Sequence, residues 1–494
     1  MTIHLSILLF WPLAFGVLGV LAPRGAAAVT TVVGALVPLG YAIMLLADFK
    51  TGQVGLQYVT NDAWIPALGI RYKLGIDGLN LWLVGLCTLL FAASAIWTLL
   101  RPPPRPRLFA FHLGLAETAV LGAFLAQDLA LFVLFFDLML VPFYFLVGQW
   151  GGPNRIAAAV KMVIYTLVGS LLMLAGAVAT AVLSASQNGG GHITFVLSDL
   201  QRAGLSDGTQ KWIFVTFALA FLIKMPAFPF HGWMPDAYGS MPLPALAVFS
   251  GVVSKVAVYG FLALVFPLFP AAAHDYQMIL LILALLSILY GSAQAFTQTN
   301  TRLILGYSSV AQLGFITLGL FAVDRATQGA QGALLQAVNH GLVVAPLFLI
   351  IVLLAERAGG SEDIRDMGGI AFRAPVFAAL FLVVALATLA MPGSANFVGE
   401  FLILLGVFNS KMAIAFIASI GVILASVYAL RMYIRAVHNR TAPEVVSVDL
   451  RVRDALVIAP LVLAIVAFAL FPQRALRSGE RAVAASVRAV QVQR

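Results

Sequence analysis

A single cysteine, Cys87, is all that the 494 residues contain. A disulfide framework and a cysteine-held iron–sulfur cluster within this chain are thereby excluded. Charge is scarce as well. Asp, Glu, Lys and Arg make up 10% of the residues against 62% hydrophobic, and the mean hydropathy is +1.00. A soluble protein of this length needs far more polar surface. Short chemical motifs are also missing: there is no Cys/His cluster, no HExxH and no calcium loop. Neither a glycine-rich phosphate cradle nor a GxSxG elbow occurs. Metal binding, nucleotide-driven work and serine-type hydrolysis therefore lack their usual marks.

Apolar stretches recur from end to end, each long enough to cross a bilayer. They predict an all-α polytopic membrane protein with about fourteen transmembrane helices. The expected spans are roughly 3–22, 28–47, 77–100, 108–126, 128–149, 156–184, 211–230, 240–267, 277–297, 303–322, 329–355, 373–408, 411–436 and 453–471. The start, MTIHLSILLFWPLAFGVLGVLAPRG, lacks a basic leader and a small-residue cleavage site, so it reads as the first span. The net charge of +9 is best read as topology signals at helix ends, and no nucleic-acid partner is expected. Arginines from Arg101 through Arg155, Arg302, Arg357 and Arg373 to Arg453 fall on one set of alternate loops. The opposite loops hold Lys50, Arg71, Lys73, Arg202, Lys211, Arg325 and Lys411. That bias places the first set in the cytoplasm and both termini on the periplasmic side of a bacterial inner membrane. The tail, with Arg474, Arg477, Arg481, Arg488 and Arg494, argues the other way.

Two spans carry helix breakers. IKMPAFPFHGWMPDAY holds Pro226, Pro229 and Pro235, and ATLAMPGSANFVGEFLILL holds Pro392-Gly393. Proline removes a backbone donor and clashes with the preceding turn, so both helices should be interrupted. Irregular backbone at membrane depth is tolerated where it is buried in protein or lines a wet cavity. Two broken spans, five positions apart in order, hint at two repeats of a transporter.

Ionisable groups inside spans are costly and mark function by default. Asp137 lies near the middle of LFVLFFDLMLVPFYF; the plainer alternative is a structural carboxylate paired with a base on another helix. Lys224 stands just before the Pro226 break, where it can reach freed carbonyls, and its depth argues against snorkelling. Lys255 is central in its span, with Ser254 and Tyr259 near enough to solvate it. Glu400 follows the second break, as a proton-release group or as a cap on the second half-helix. His340 can relay protons or be merely hydrogen-bonded, and His231 is read the same way as an auxiliary. Glu117 is either an uptake carboxylate or the partner of an arginine. Asp128 and Asp236, near helix ends, read as capping or interfacial.

Several blocks together resemble a known family. FFDLMLVPFYFLVGQWGG, AAAVKMVIYTLVGSLLML and FLIKMPAFPFHGWMPDAYGSMPLPALAVFSGVVSKVAVYGFL are similar to the fifth-, sixth- and seventh-to-eighth-span motifs of the antiporter-like subunits of respiratory complex I. NTRLILGYSSVAQLGF, AVNHGLVVAPLFL and MPGSANFVGEFLIL follow in order. The acidic Glu400 in NFVGEF resembles the M-type subunits; L- and N-type subunits carry lysine there. The resemblance implies proton translocation along Asp137, Lys224, Lys255, His340 and Glu400. It implies two inverted five-helix repeats with broken helices, at 108–267 and 277–440, after three spans in 1–107 and before a last span and tail in 441–494. It also implies no cofactor in this chain. NADH, FMN, iron–sulfur clusters and quinone would sit in partner subunits, beside L-type and N-type neighbours in the bilayer.

This chain departs from the family pattern at three places. Asp137 stands where glutamate is usual, Gln312 where histidine is common, and YGSMPLPALAVF replaces an acidic, threonine-bearing version. A subunit of a Mrp-type sodium/proton antiporter, or of a membrane-bound hydrogenase or a ferredoxin- or deazaflavin-linked complex, is the first alternative. A structural scaffold whose buried charges specify packing is the second.

Overall fold

The computed structural model describes residues 4–53, 55–187, 191–324, 326–440, 445–446 and 448–492. Arg325 and Arg494, weighed above as topology signals, lie outside them. Spans 1 to 3 are Leu5–Leu21, Arg24–Asp48 and Leu81–Leu100. Spans 4 to 6 are Pro106–Leu125, Leu129–Trp150 and Arg155–Gln187. Span 7 begins as Asp207–Lys224 and span 8 is Leu243–Leu268. Spans 9 to 11 are Gln277–Thr297, Thr301–Phe321 and Gln328–Arg357. Span 12 is split into Pro375–Thr388 and Ala395–Ser410, and spans 13 and 14 are Met412–Val437 and Val452–Leu470. Spans 8, 10 and 11 form the centre, each 94% buried over its most apolar stretch, whereas span 13 is 33% buried and faces outward.

Both expected breaks occur. Span 7 stops at Lys224 and resumes after a tight turn of helix at Phe230–Trp233. The carbonyl of Ile223, freed by the break, accepts the indole N–H of Trp233 at 3.1 Å, so the interruption leaves that group satisfied. Span 12 stops at Thr388 and restarts at Ala395, with Gly393 at φ +92° making the reversal that a side chain resists. A third discontinuity falls in span 5 at Met139, between Leu129–Leu138 and Leu140–Trp150. Pro142 lacks the N–H that would reach back to Leu138, which accounts for it.

Besides the short helices Leu197–Ala203 and Pro270–Asp275, a hairpin and a tail helix lie outside the expected spans. Strands Gln57–Ile65 and Ile70–Ile76 pair as an antiparallel hairpin between spans 2 and 3. The tail folds into a helix, Pro472–Gln491, that buries Val483, Val487 and Val490 and leaves its arginines outward. Arg474, Arg477, Arg481 and Arg488 thus belong to an amphipathic surface helix and not to a connecting loop. Its Ser478 accepts from the Trp82 indole at 2.7 Å, and its Gln491 donates to the Val323 carbonyl at 2.7 Å. The hairpin, this helix and the start of span 1 share one face of the molecule, here the hairpin face. The arginine-rich loops make up the opposite, arginine face.

The same stitch occurs once on each face. On the hairpin face, Leu129 N–H donates to Phe195 and Leu197 N–H to Gln127, at 2.7 and 3.2 Å. On the arginine face, Thr301 N–H donates to Glu362 and Ile364 N–H to Thr299, both at 2.9 Å. Asp128 caps span 5 through Ala130 and Leu131, and Asn300 caps span 10 through Arg302 and Leu303. Each cap supplies an acceptor for orphan N–H groups at a helix start. Spans 5 and 10 are five crossings apart and therefore run in opposite directions, so equivalent stitches land on opposite faces. Asp236 is interfacial, exposed and paired with Lys161 at 2.6 Å.

Arg302 closes the arginine face. It grips Glu362 through Nε and Nη2 at 2.6 and 2.7 Å and donates to the Met241 carbonyl at 2.5 Å. Arg302→Ala should cost about 2–3 kcal/mol by stranding both partners. The expected outcome is a lower thermal midpoint of the purified protein in lipid, with Arg302→Lys recovering only part because it loses the forked geometry.

Candidate functional site

Lys255 is fully buried at the centre of span 8. The helix widens into π-turns on either side of it, at Phe249–Val253 and Phe261–Val265. Such turns shift the hydrogen-bond register and re-aim side chains, and they recur at functional sites. Nζ of Lys255 donates to the Ser250 carbonyl at 2.7 Å and to Ser254 Oγ at 3.2 Å, and lies 3.0 Å from His340 Nδ1. Ser254 therefore solvates the amine as expected. Tyr259 does not; its hydroxyl accepts from Gln127 at 3.3 Å.

The approach of His340 has a backbone cause. Gly341 of span 11 lies against the Gly251 carbonyl of span 8, and a Cβ at 341 would run into it. Small residues let transmembrane backbones touch, and here they bring two titratable side chains together.

One helical turn before His340, Gln336 continues the polar line on the same face of span 11. Its amide donates to Gln312 Oε1 at 2.9 Å and to Glu400 Oε1 at 3.3 Å, and Gln312 donates to the same Glu400 oxygen at 2.8 Å. Glu400 Oε2 has no partner among the described residues. Glu400 sits beyond the first turn of its half-helix and receives side-chain amides, so the capping alternative does not describe it. Glycine at 399 permits this packing, because a Cβ there would strike Gln336. Lys255, His340, Gln336, Gln312 and Glu400 thus form one buried segment across spans 8, 10, 11 and 12.

Asp137 and Lys224 stand apart from it. Asp137 is the last residue but one of the first part of span 5, half-buried, with Oδ1 unpartnered. Lys224 is the last residue of its helix, where the unsatisfied carbonyl end favours a cation. Its Nζ lies 4.6 Å over the Phe136 ring. The two charges face one another, but no ion pair within 4.0 Å joins them. An aromatic cluster, with Phe136–Phe221 at 5.8 Å and Phe221–Phe261 at 5.2 Å, fills the space beside Lys224.

Glu117 and His231 join neither group. Glu117 is buried in span 4 with Oε1 unpartnered, and no arginine pairs with it among the described residues. His231, in the span 7 break, packs its ring against Phe228 and Tyr290. No group of three or more His, Cys, Asp or Glu residues that could hold a metal occurs among the described residues. Charge alone does not single out Gln336, because an amide is neutral; its spacing of four residues from His340 is the signal that marks it.

The family described as NADH:quinone oxidoreductase/Mrp antiporter, TM, matches residues 126–427. The chain is 35% identical to NADH-quinone oxidoreductase subunit M of Rhodobacter capsulatus, over 95% of this chain and 93% of that protein. It is 35% identical to the subunit of that name from Escherichia coli strain K12, over 94% and 92%. A chain of the respiratory complex I of Thermus thermophilus with bound NADH superposes with a TM-score of 0.89 at 30% identity, covering 98% of this chain and 99% of that one. A chain of the Mrp complex from Dietzia shares the fold, with a TM-score of 0.82 at 20% identity over 98% of this chain and 52% of that one.

The amide segment makes a coupled unit. Gln336→Leu should cost about 1–3 kcal/mol because Gln312 Oε1 loses its donor in a dry site. Gln312→Leu should cost a similar amount, and the double variant less than the sum. Unfolding of the four proteins in a double-mutant cycle checks this.

Proposed function

The chain belongs to the NADH:quinone oxidoreductase/Mrp antiporter family of transmembrane proteins, and on that premise we propose that it moves protons across the membrane as one subunit of an NADH–quinone oxidoreductase. The observation that carries the reading is the buried contact of Lys255 with His340 and its continuation through Gln336 and Gln312 to Glu400. A scaffold has no use for a line of titratable groups threaded through the most buried spans, where each costs several kcal/mol to insert, about 2.5–3.5 by insertion scales.

Electron transfer in partner subunits supplies the energy. NADH, flavin, iron–sulfur clusters and quinone belong to those partners, and antiporter-like subunits of L and N type are the expected membrane neighbours. The arginine face lies in the cytoplasm and the hairpin face, with both termini, lies outside. Repeat units at 108–267 and 277–440 carry the two halves of the route.

Asp137 and Lys224 act as the switch. The structure holds them open, beyond 4.0 Å. Closing the pair to about 4 Å would supply about 4 kcal/mol at an effective dielectric of about 20. Moving one charge against 100 mV costs about 2.3 kcal/mol, so opening and closing this pair is on the right scale to drive a proton. With the pair closed, Lys224 keeps its proton; with it open, the proton moves to Lys255 through water admitted past the aromatic cluster. It then passes by His340 and the amide segment to Glu400 and the outer face.

Lys224→Ala and Asp137→Ala should lower the protons moved per quinone reduced while the complex still assembles, and Asp137→Glu should be tolerated. An unchanged ratio in both alanine variants would sink the switch. Sodium-dependent proton exchange by the chain without its partners would instead favour the antiporter alternative. Gly341→Ala changes no charge and suits a helix better than glycine. It should nevertheless lower the same ratio, by pushing His340 away from Lys255, and measured pumping in membrane vesicles decides it.

A further inference from the structure

A cavity of about 300 Å³ lies under the surface helix on the hairpin face. Its inner wall is polar: Asp77, Gln127 and Tyr259 line it, opposite Ser478, Arg481 and Ser486 of the surface helix. Tyr259 is fully buried and receives a hydrogen bond from the Gln127 amide. Because the phenol accepts that bond, its own hydrogen is left to donate elsewhere. Tyr259 follows Lys255 by four positions on one helix, which places it on the same face, one turn nearer the cavity. Within the described residues, this side chain borders both the cavity and the helical turn that carries Lys255.

The cover of the cavity is tied to that same stretch of span 8. Ser486 Oγ donates to the Leu262 carbonyl at 2.5 Å, inside the π-turn that follows Tyr259. Arg481 reaches across the mouth to the Gly52 carbonyl, and Ser478 holds the Trp82 indole. A cavity of this size with several polar walls holds water readily, since one water needs only about 10–15 Å³ of such volume and two to four polar partners.

We propose that this cavity is a water-filled vestibule through which Lys255 exchanges protons with the hairpin face by way of Tyr259 and Gln127, separately from Glu400. The proposal rests on the reading that Lys255 carries protons. The step balances without a co-reactant. A proton delivered to Tyr259 Oη from the Lys255 side is matched by the phenolic hydrogen leaving to vestibule water, and the tyrosine ends neutral as it began. Gln127 holds the oxygen in place between the two.

The test uses the assembled complex in membrane vesicles, reading protons moved per quinone reduced. Tyr259→Phe keeps the ring and removes the relay, so the ratio should fall while quinone reduction persists. Gln201 also lines the vestibule. In a Cys87→Ser background, Gln201→Cys should be labelled by a charged, membrane-impermeant methanethiosulfonate added from the hairpin side only, and labelling should lower the ratio as well. A packing role for Tyr259 would not respond to a label on Gln201. An unchanged ratio in Tyr259→Phe and in the labelled protein, with Lys255→Ala still lowering it, overturns the vestibule and leaves the pumping function standing. An unchanged ratio in Lys255→Ala overturns both.

Discussion

An amine in the middle of a bilayer needs polar neighbours, and Lys255 has them because spans 8 and 11 touch at Gly251 and Gly341. The contact brings a histidine nitrogen to 3.0 Å. The widened turns beside it leave a carbonyl within reach of the same amine. An amine left there with no polar partner would carry a penalty of several kcal/mol for its lost hydration. The arrangement of the outer spans follows from this: spans 8, 10 and 11 must be sealed from lipid, and the remaining crossings pack around them as the seal.

The second organising feature is repetition. Each half has a polar cap at the start of its second span, Asp128 or Asn300, and each is stitched to a later loop by the same pair of backbone hydrogen bonds. Each half also has a helix that stops mid-membrane, one ending in Lys224 and one preceding Glu400. A broken helix places carbonyl or N–H ends at depth, where a charge can be held and released. The two halves therefore offer a cationic and an acidic version of one device, oriented in opposite directions.

Much of this was legible from residue types. Pro226 and Pro392-Gly393 predict the breaks because proline chemistry is local, and the charges stand out because hydropathy makes any exception conspicuous. Ser254 was a correct neighbour for Lys255 and Tyr259 was not; both lie close in sequence, and only the direction of each side chain separates them. Gln336 was passed over because an amide is neutral. The hairpin gives no apolar run to mark it, because Gln57–Ile65 is largely exposed and mixes polar residues among apolar ones. The tail was read for charge, although the spacing of Val483, Val487 and Val490 already carries a helical stripe. The π-turns have no residue signature at all, and the separation of Asp137 from Lys224 depends on how spans 5 and 7 lean, which no local pattern encodes.

The stretch between His340 and Glu400 is built of two glutamines whose amides already bond to each other and to the acid. An amide hands on hydrogen bonds but does not accept a proton near neutral pH as an imidazole does. On the proposed route, this stretch would act as an insulator until water threads it. A machine that stores work as a membrane potential has most to lose from a short circuit across its own interior. If protons take the proposed route, the amide pair would guard against one, trading speed of passage for protection against backflow.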